Sequence, residues 1–243
     1  MSTHLAPAPP GAWLRRAGMF CVDVFFPPVC AACGRVGILL CPTCEARLLP
    51  VDGAICRCCG RALAGQAHPL CPACRDAPPP LAQMRAPLRY AEPTSRLIHR
   101  LKYEGYFALS RPLARRLVAG WPAWRPSPDL IVPIPLHPRR HFRRGYNQSE
   151  LLARPLAEAV GLPFSATALR RTRHTPPQVG LGPEARAANV QGAFDAVPSE
   201  VAGRVVLLVD DVLTTGATMS AAAEALLAAG AAAVSAYCLA RVS

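Results

Sequence analysis

Residues 205–218 read VVLLVDDVLTTGAT. An apolar run, mostly β-branched, leads straight into Asp210 and Asp211, and a turn of small residues and an alanine-rich segment follow. An apolar run without alternation suits a parallel strand that is covered on both faces. Residues 221–230 are expected to form a helix, because Ala, Glu and Leu dominate and Gly230 is placed to end it. Thr214, Thr215, Gly216, Ala217 and Thr218 then lie between strand and helix, with Val212 and Leu213 joining them to the acids. An open α/β sheet binds ligands at this place, outside the carboxyl end of a strand. Backbone N–H groups at a helix N-terminus, joined by three threonine hydroxyls, make a cradle for a phosphate dianion. Asp210 and Asp211, just upstream, suit vicinal hydroxyls or the shell of an Mg²⁺ ion. Acids beside a phosphate cradle point to a sugar phosphate. A helix cap alone would need only one such polar residue.

The rest of the composition narrows the class. The chain has 243 residues, of which 51% are apolar, enough for a core in one large domain or two smaller ones. No apolar run is long enough to span a bilayer. Near the start, Leu14, Ala17, Cys21 and Val24 fall at helical spacing, which predicts a short amphipathic leader helix within residues 1–28, after a Pro/Ala-rich start. Asp23 interrupts the apolar stretch there, which argues against a secretory signal, so a cytoplasmic location is expected. The net charge of +12 fits an anionic partner. Lys102 is the single lysine among 27 basic residues, so much of the arginine content also fits a coding bias that leaves ordinary surface residues.

The chain contains 11 cysteines. Eight fall into Cys-x2-Cys pairs: Cys30 and Cys33, Cys41 and Cys44, Cys56 and Cys59, Cys71 and Cys74. In a reducing compartment such pairs indicate zinc rather than disulfides. Four thiolates close a tetrahedral Zn²⁺ shell with no open position, so the expected role is structural, over residues 29–77. Sequential and crossed groupings of the pairs both remain open at this stage. So do two roles, a recognition module and a brace for the larger domain. Cys21 and Cys238 read as packing residues, and Cys58 stays ambiguous.

The prolines at 78–80 mark a stiff linker, after which residues 82–243 are expected to form an α/β domain. Residues 84–90 read as an edge strand that tolerates Pro87. Residues 94–104 read as a helix presenting Leu97, Ile98 and Leu101 on one face, with Lys102 near its end, either answering the helix dipole or contacting a phosphate. A second helix is expected over 110–118, and a buried strand over 129–135. A basic loop over 137–145 follows, then a helix over 151–160 that Pro155 should kink or shorten. Residues 174–192 read as a mobile flap, and 189–194 as a short strand. A final strand is expected over 234–239. Strand, helix and strand recur, which predicts a mostly parallel sheet with helices on both faces.

Residues 205–218 resemble the PRPP (5-phosphoribosyl-1-pyrophosphate) motif of type I phosphoribosyltransferases. That resemblance implies that Asp210 and Asp211 hold the ribose hydroxyls and that Thr214–Thr218 hold the 5′-phosphate, with Mg²⁺ bound alongside PRPP. Arg143, Arg144 and Gly145 then occupy the position of a pyrophosphate loop. The wider pattern resembles the ComF family of bacterial competence proteins: the Cys pairs, LIHRLKYEG at 97–105, the 131–153 segment, HTPPQ at 174–178 and VDDVLTTGAT at 209–218. It implies a double zinc ribbon joined to a type I phosphoribosyltransferase fold. It also implies a link to natural transformation, with single-stranded DNA and other DNA-import proteins as partners. Two activities are compatible with this: phosphoribosyl transfer to an acceptor that the residues do not identify, or a non-catalytic scaffold that senses PRPP or binds single-stranded DNA.

Overall fold

The computed structural model describes residues 27–63, 65, 67–121, 127–175 and 182–242. The leader helix, Cys21 and the middle of the expected flap (176–181) lie outside the described residues. The chain divides into two compact units, Met1–Ala46 and Arg47–Ser243.

In the first unit, a Val29–Val36 bridge closes a tight turn, and the short helix α1 (Pro42–Glu45) follows. The second unit opens with the same arrangement: an Ile55–Ala62 bridge, then α2 (Pro72–Asp76). The turn hydrogen bonds repeat as well. The N–H of Cys30 donates to the Arg35 carbonyl at 2.7 Å, and that of Cys56 to Arg61 at 2.7 Å.

The division into compact units falls at Ala46, between the two knuckles, because the second knuckle packs into the core of the sheet domain. It docks on the first strands of that domain, β1 (Met84–Arg85) and β2 (Leu88–Arg89). The Met84 N–H donates to the Cys58 carbonyl at 2.7 Å, and Arg85 donates to the Arg57 carbonyl at 2.7 Å. Val51 N–H donates to the Pro87 carbonyl and Arg89 N–H to the Leu49 carbonyl. The exposed edge of the sheet is thus covered, which removes a site for stray strand pairing. Pro87 lacks the N–H a continuous strand needs and splits the expected edge strand in two.

Then come α3 (Thr94–Tyr103), a 3₁₀ turn (Phe107–Leu109), α4 (Ser110–Gly120) and β3 (Leu130–Pro133). Leu97, Ile98 and Leu101 of α3 are buried, as their spacing requires. The expected basic loop is instead largely a helix, α5 (Pro138–Arg144). Pro138 at its first position is preset for helical φ, and the His137 ring accepts from the Arg139 N–H. α6 (Gln148–Val160) begins at Asn147, whose side chain accepts from the Ser149 N–H, and it runs through Pro155 without shortening.

β4 (Leu169–Arg171) pairs antiparallel with β5 (Phe194–Ala196), away from the main sheet, and α7 (Pro183–Val190) lies between them. The expected strand at 189–194 is corrected here: Asn189 and Val190 end a helix, because Pro183 starts it and good helix formers continue it. Within the described part of the expected flap, Thr175 and Val190 are buried, while His174, Ala185, Ala188, Gln191 and Gly192 are exposed.

After α8 (Pro198–Val201) come β6 (Val205–Leu213), α9 (Ala217–Ala228) and β7 (Ala233–Arg241). β6 carries the acids within its length, and α9 starts one turn earlier than expected. The main sheet is parallel, in the order β1–β7–β6–β3, with β2 also on β7. Alternate residues of β6 serve two layers. Val206 and Leu208 share a buried cluster with Ala222, Ala223 and Leu226 of α9. Leu207 and Val209 point to the opposite face, where α4 and α6 pack. This is the mostly parallel α/β architecture that the apolar run implied.

Gly60 shows how tightly the second knuckle is docked. Its φ is +70°, and a Cβ there would lie 2.6 Å from the Met84 carbonyl oxygen. Gly34, at the equivalent place in the first unit, has φ +79° and nothing within 4 Å. Gly60→Ala is therefore expected to lower the urea-unfolding stability of the sheet domain by about 2–4 kcal/mol, combining left-handed strain with a backbone clash, and Gly34→Ala by about 1 kcal/mol or less.

Candidate functional site

The cysteines form two clusters, Cys30–Cys33–Cys41–Cys44 and Cys56–Cys59–Cys71–Cys74, each with its sulfurs within 4.8 Å of one another. The grouping is sequential, which resolves the alternative left open by spacing. A tetrahedral Zn²⁺ with bonds of about 2.3 Å sets its ligand sulfurs about 3.8 Å apart. Cys33 and Cys41 are 3.8 Å apart, and Cys59 and Cys71 are 3.7 Å apart. The Cys41 N–H donates to Cys30 Sγ at 3.4 Å, and the Cys71 N–H to Cys56 Sγ at 3.4 Å. Burial raises the Cys30 and Cys56 thiols, but backbone N–H groups outweigh it and bring both down to about 6. Both quartets thus fit closed, structural zinc. Cys58 stands outside the second quartet, and Cys238 is fully buried as a packing residue in β7.

The second site lies at the carboxyl end of β6. Asp211 is buried, and its Oδ1 pairs with Lys102 Nζ at 2.9 Å. Lys102, from the last turn of α3, is thus directed at an acid. Asp211 Oδ2 is buried with no hydrogen-bond partner. Asp210 Oδ1 accepts from Ser149 Oγ at 2.6 Å and from the Asp211 N–H at 2.9 Å. Burial pushes the Asp210 carboxyl up to about 7, and the Asp211 charge adds to this; Lys102 and the Ser149 hydroxyl oppose it. Burial lowers the Lys102 ammonium, but the Asp211 and Asp210 charges outweigh it, so the net shift is upward.

Thr214, Thr215 and Gly216 form the turn after β6, and Ala217 and Thr218 begin α9. Gly216 takes the left-handed conformation with φ +88°, and the Ala217 N–H donates to Thr215 Oγ1 at 3.3 Å. Val212 is half-buried and Leu213 buried at the end of β6, next to the loop.

The arginines divide. Arg144 bonds Gln148 Oε1, and its guanidinium stands 5.2 Å from the centre of the Tyr103 ring, beside Lys102. Arg143 and Gly145 are exposed at the end of α5. A further pair escaped the sequence reading. Arg140 Nη2 donates to the Thr175 carbonyl at 2.5 Å, and buried Arg171 donates to Thr175 Oγ1 at 2.5 Å while stacking on Phe194. Burial, reinforced by Arg140, lowers the Arg171 guanidinium to about 10, against the Asp210 charge. Ser149 was also missed. Its only signal was its place beside the Asn147 cap, which reads as helix initiation.

These features define a class: a phosphoribosyltransferase-type α/β domain with zinc ribbons. Residues 143–243 match the phosphoribosyl transferase domain family, and residues 21–75 match the double zinc ribbon domain. DNA utilization protein YhgH of Escherichia coli K12 is 39% identical over 215 residues, covering 86% of this chain and 92% of its own length. Competence protein F of Haemophilus influenzae is 38% identical over 159 residues (63% and 69%). Competence protein ComFC of Bacillus subtilis is 29% identical over 211 residues (83% and 84%). The chain belongs to the ComF family of competence and DNA-utilization proteins. No described helix is long and apolar enough to cross a membrane.

Removing the Lys102 cation leaves Asp211 buried and uncompensated. Lys102→Met is expected to cost about 3–5 kcal/mol in urea unfolding. The folded-state value of Asp210 lies above its unfolded value, so its contribution to stability falls as pH rises from about 4 to about 7 and is flat beyond. Asp210→Asn, which keeps the oxygen that Ser149 bonds, should therefore stabilise the protein more at pH 8 than at pH 5. Equal effects at both pH values would contradict the raised carboxyl.

Proposed function

We propose that the chain binds PRPP with Mg²⁺ and transfers its phosphoribosyl group to an acceptor, releasing pyrophosphate. The observation that carries this reading is the Lys102–Asp211–Asp210–Ser149 cluster, set immediately before a left-handed glycine and a helix N-terminus. The ribose hydroxyls meet Asp210 and Asp211, and the 5′-phosphate meets the Thr214–Thr218 loop. Asp211 Oδ2, buried without a partner, suits a cation or a hydroxyl donor, so Asp210 and Asp211 are the residues that would hold Mg²⁺. The ion, when bound, neutralises the pyrophosphate leaving group. Arg143 and Arg144, with Arg140 and Arg171, supply positive charge for the same diphosphate, and the left-handed Gly145 ends the helix that carries the first two. Lys102 pairs with Asp211 and is placed to turn toward bound phosphate. Catalysis then rests on positioning and on fixed charge around an oxocarbenium-like sugar, with no strongly basic side chain required.

A second reading, a scaffold that binds single-stranded DNA, is supported by one feature. Tyr103, Phe107 and Phe142 are 61%, 61% and 91% exposed, among Arg100, Arg139, Arg143 and Arg144. Exposed rings interleaved with arginine suit base stacking along a phosphate backbone. Phe142→Ala with Tyr103→Ala should weaken binding of an oligothymidine strand, with a loss of about 1–3 kcal/mol per stacked base.

Calorimetry with PRPP and Mg²⁺ tests the leading reading. Asp210→Asn combined with Asp211→Asn is expected to abolish binding, and unchanged affinity would refute the site. Because the ionised acid is the binding form, affinity should rise with pH up to about 7 and then level, with proton release on binding. Pyrophosphate release across a panel of bases and amines separates transferase from sensor.

A further inference from the structure

Two histidines belong to motifs that the acid cluster does not use: His137 in LHPRR at 136–140 and His174 at the start of HTPPQ. The fold brings them together. The Ile134 N–H donates to the Val209 carbonyl at 2.9 Å, so the chain leaves β3 beside Asp210, and His137 follows shortly after. The His137 and His174 rings meet edge to face, with centroids 5.0 Å apart and planes at 78°. Arg140 and Arg171 both bond Thr175, the residue after His174, and so hold His174 against the start of α5.

The Arg139 N–H donates to His137 Nδ1 at 3.3 Å. Because Nδ1 accepts, the neutral ring carries its proton on Nε2. Partial burial lowers the His137 imidazolium, and His174, Arg139, Arg171 and Arg140 lower it further. Among the described residues, no hydrogen bond engages Nε2, and no carboxylate is ion-paired with Arg139, Arg140 or Arg171. The charge of Asp210 reaches Arg171 from β6. Arg173 is turned away, onto the Asn189 and Gln191 carbonyls. Three guanidinium groups thus gather around one uncharged N–H donor. A diphosphate has oxygens on two centres and takes donors from more than one side.

We propose that His137 contacts the diphosphate end of the ligand, its Nε2–H donating to a diphosphate oxygen, with His174 as the positioning residue that fixes the ring. Such a contact rests on the PRPP reading of the site. A neutral donor directs the diphosphate without adding to the attraction that its departure must overcome.

Calorimetric titration of the full zinc-loaded chain with inorganic pyrophosphate, in magnesium-free buffer at about pH 8, tests the contact. Asn and Gln each replace one ring nitrogen: Asn keeps the acceptor that serves the Arg139 N–H, and Gln keeps a donor near the place of Nε2. His137→Asn should therefore weaken pyrophosphate binding about tenfold or more while keeping the melting temperature, and His137→Gln should stay within about threefold of the unaltered chain. A residue that only starts α5 would show the reverse order. His174→Leu should weaken binding about threefold or more. Three results would overturn the proposal: no pyrophosphate binding up to about 10 mM, affinity that His137→Asn leaves unaltered, or His137→Gln binding no better than His137→Asn. PRPP with Mg²⁺ is titrated in parallel. If it fails to bind while pyrophosphate binds through His137, the PRPP reading alone falls and the diphosphate contact stands.

Discussion

Two adjacent carboxylates at the end of a covered strand impose the main constraint on this fold. β6 is apolar on both faces because helices lie on both sides, and so its acids emerge where water is scarce. An uncompensated buried charge costs several kcal/mol, so other elements must answer it. α3 delivers Lys102 to Asp211, and α6 delivers the Ser149 hydroxyl to Asp210. The positions of both helices are therefore tied to the end of one strand. What remains unanswered is the Asp211 Oδ2 atom, which is buried without a hydrogen-bond partner.

The two zinc knuckles are close copies in their turns, their N–H to sulfur bonds and their cysteine geometry, yet they belong to different units. The difference lies in what each touches. The second knuckle shares backbone hydrogen bonds with β1 and buries its cysteines in the core cluster behind β6 and α9. Its metal therefore supports the sheet edge as well as the knuckle itself. A closed tetrathiolate has no open position for a substrate, and Arg241 beside Cys59 is where the knuckle meets the sheet.

The parts legible in the sequence were those with a local code. The apolar run at 205–209, the face of α3 and the cysteine pairs each stand on spacing within a few residues. The readings that changed were those where local signals compete. Residues 137–145 are rich in arginine and suggest a solvated loop, but Pro138 and the His137 ring start a helix there. Residues 183–190 sit in a Pro/Gly-rich basic stretch, yet their helix-forming residues build α7, which packs against α9.

By itself, the sequence determined the class of fold, the eight zinc ligands and the strand–loop–helix that carries the acids, because periodicity and ligand spacing are written in neighbouring residues. Only the tertiary structure decided that Lys102 faces Asp211, that Ser149 faces Asp210, that the second knuckle joins the sheet, and that Arg241 ends beside Cys59. The physical reason is distance along the chain. Each of these contacts joins residues far apart in sequence, and each is set by how the strands order and the helices pack, so no local pattern encodes the partner.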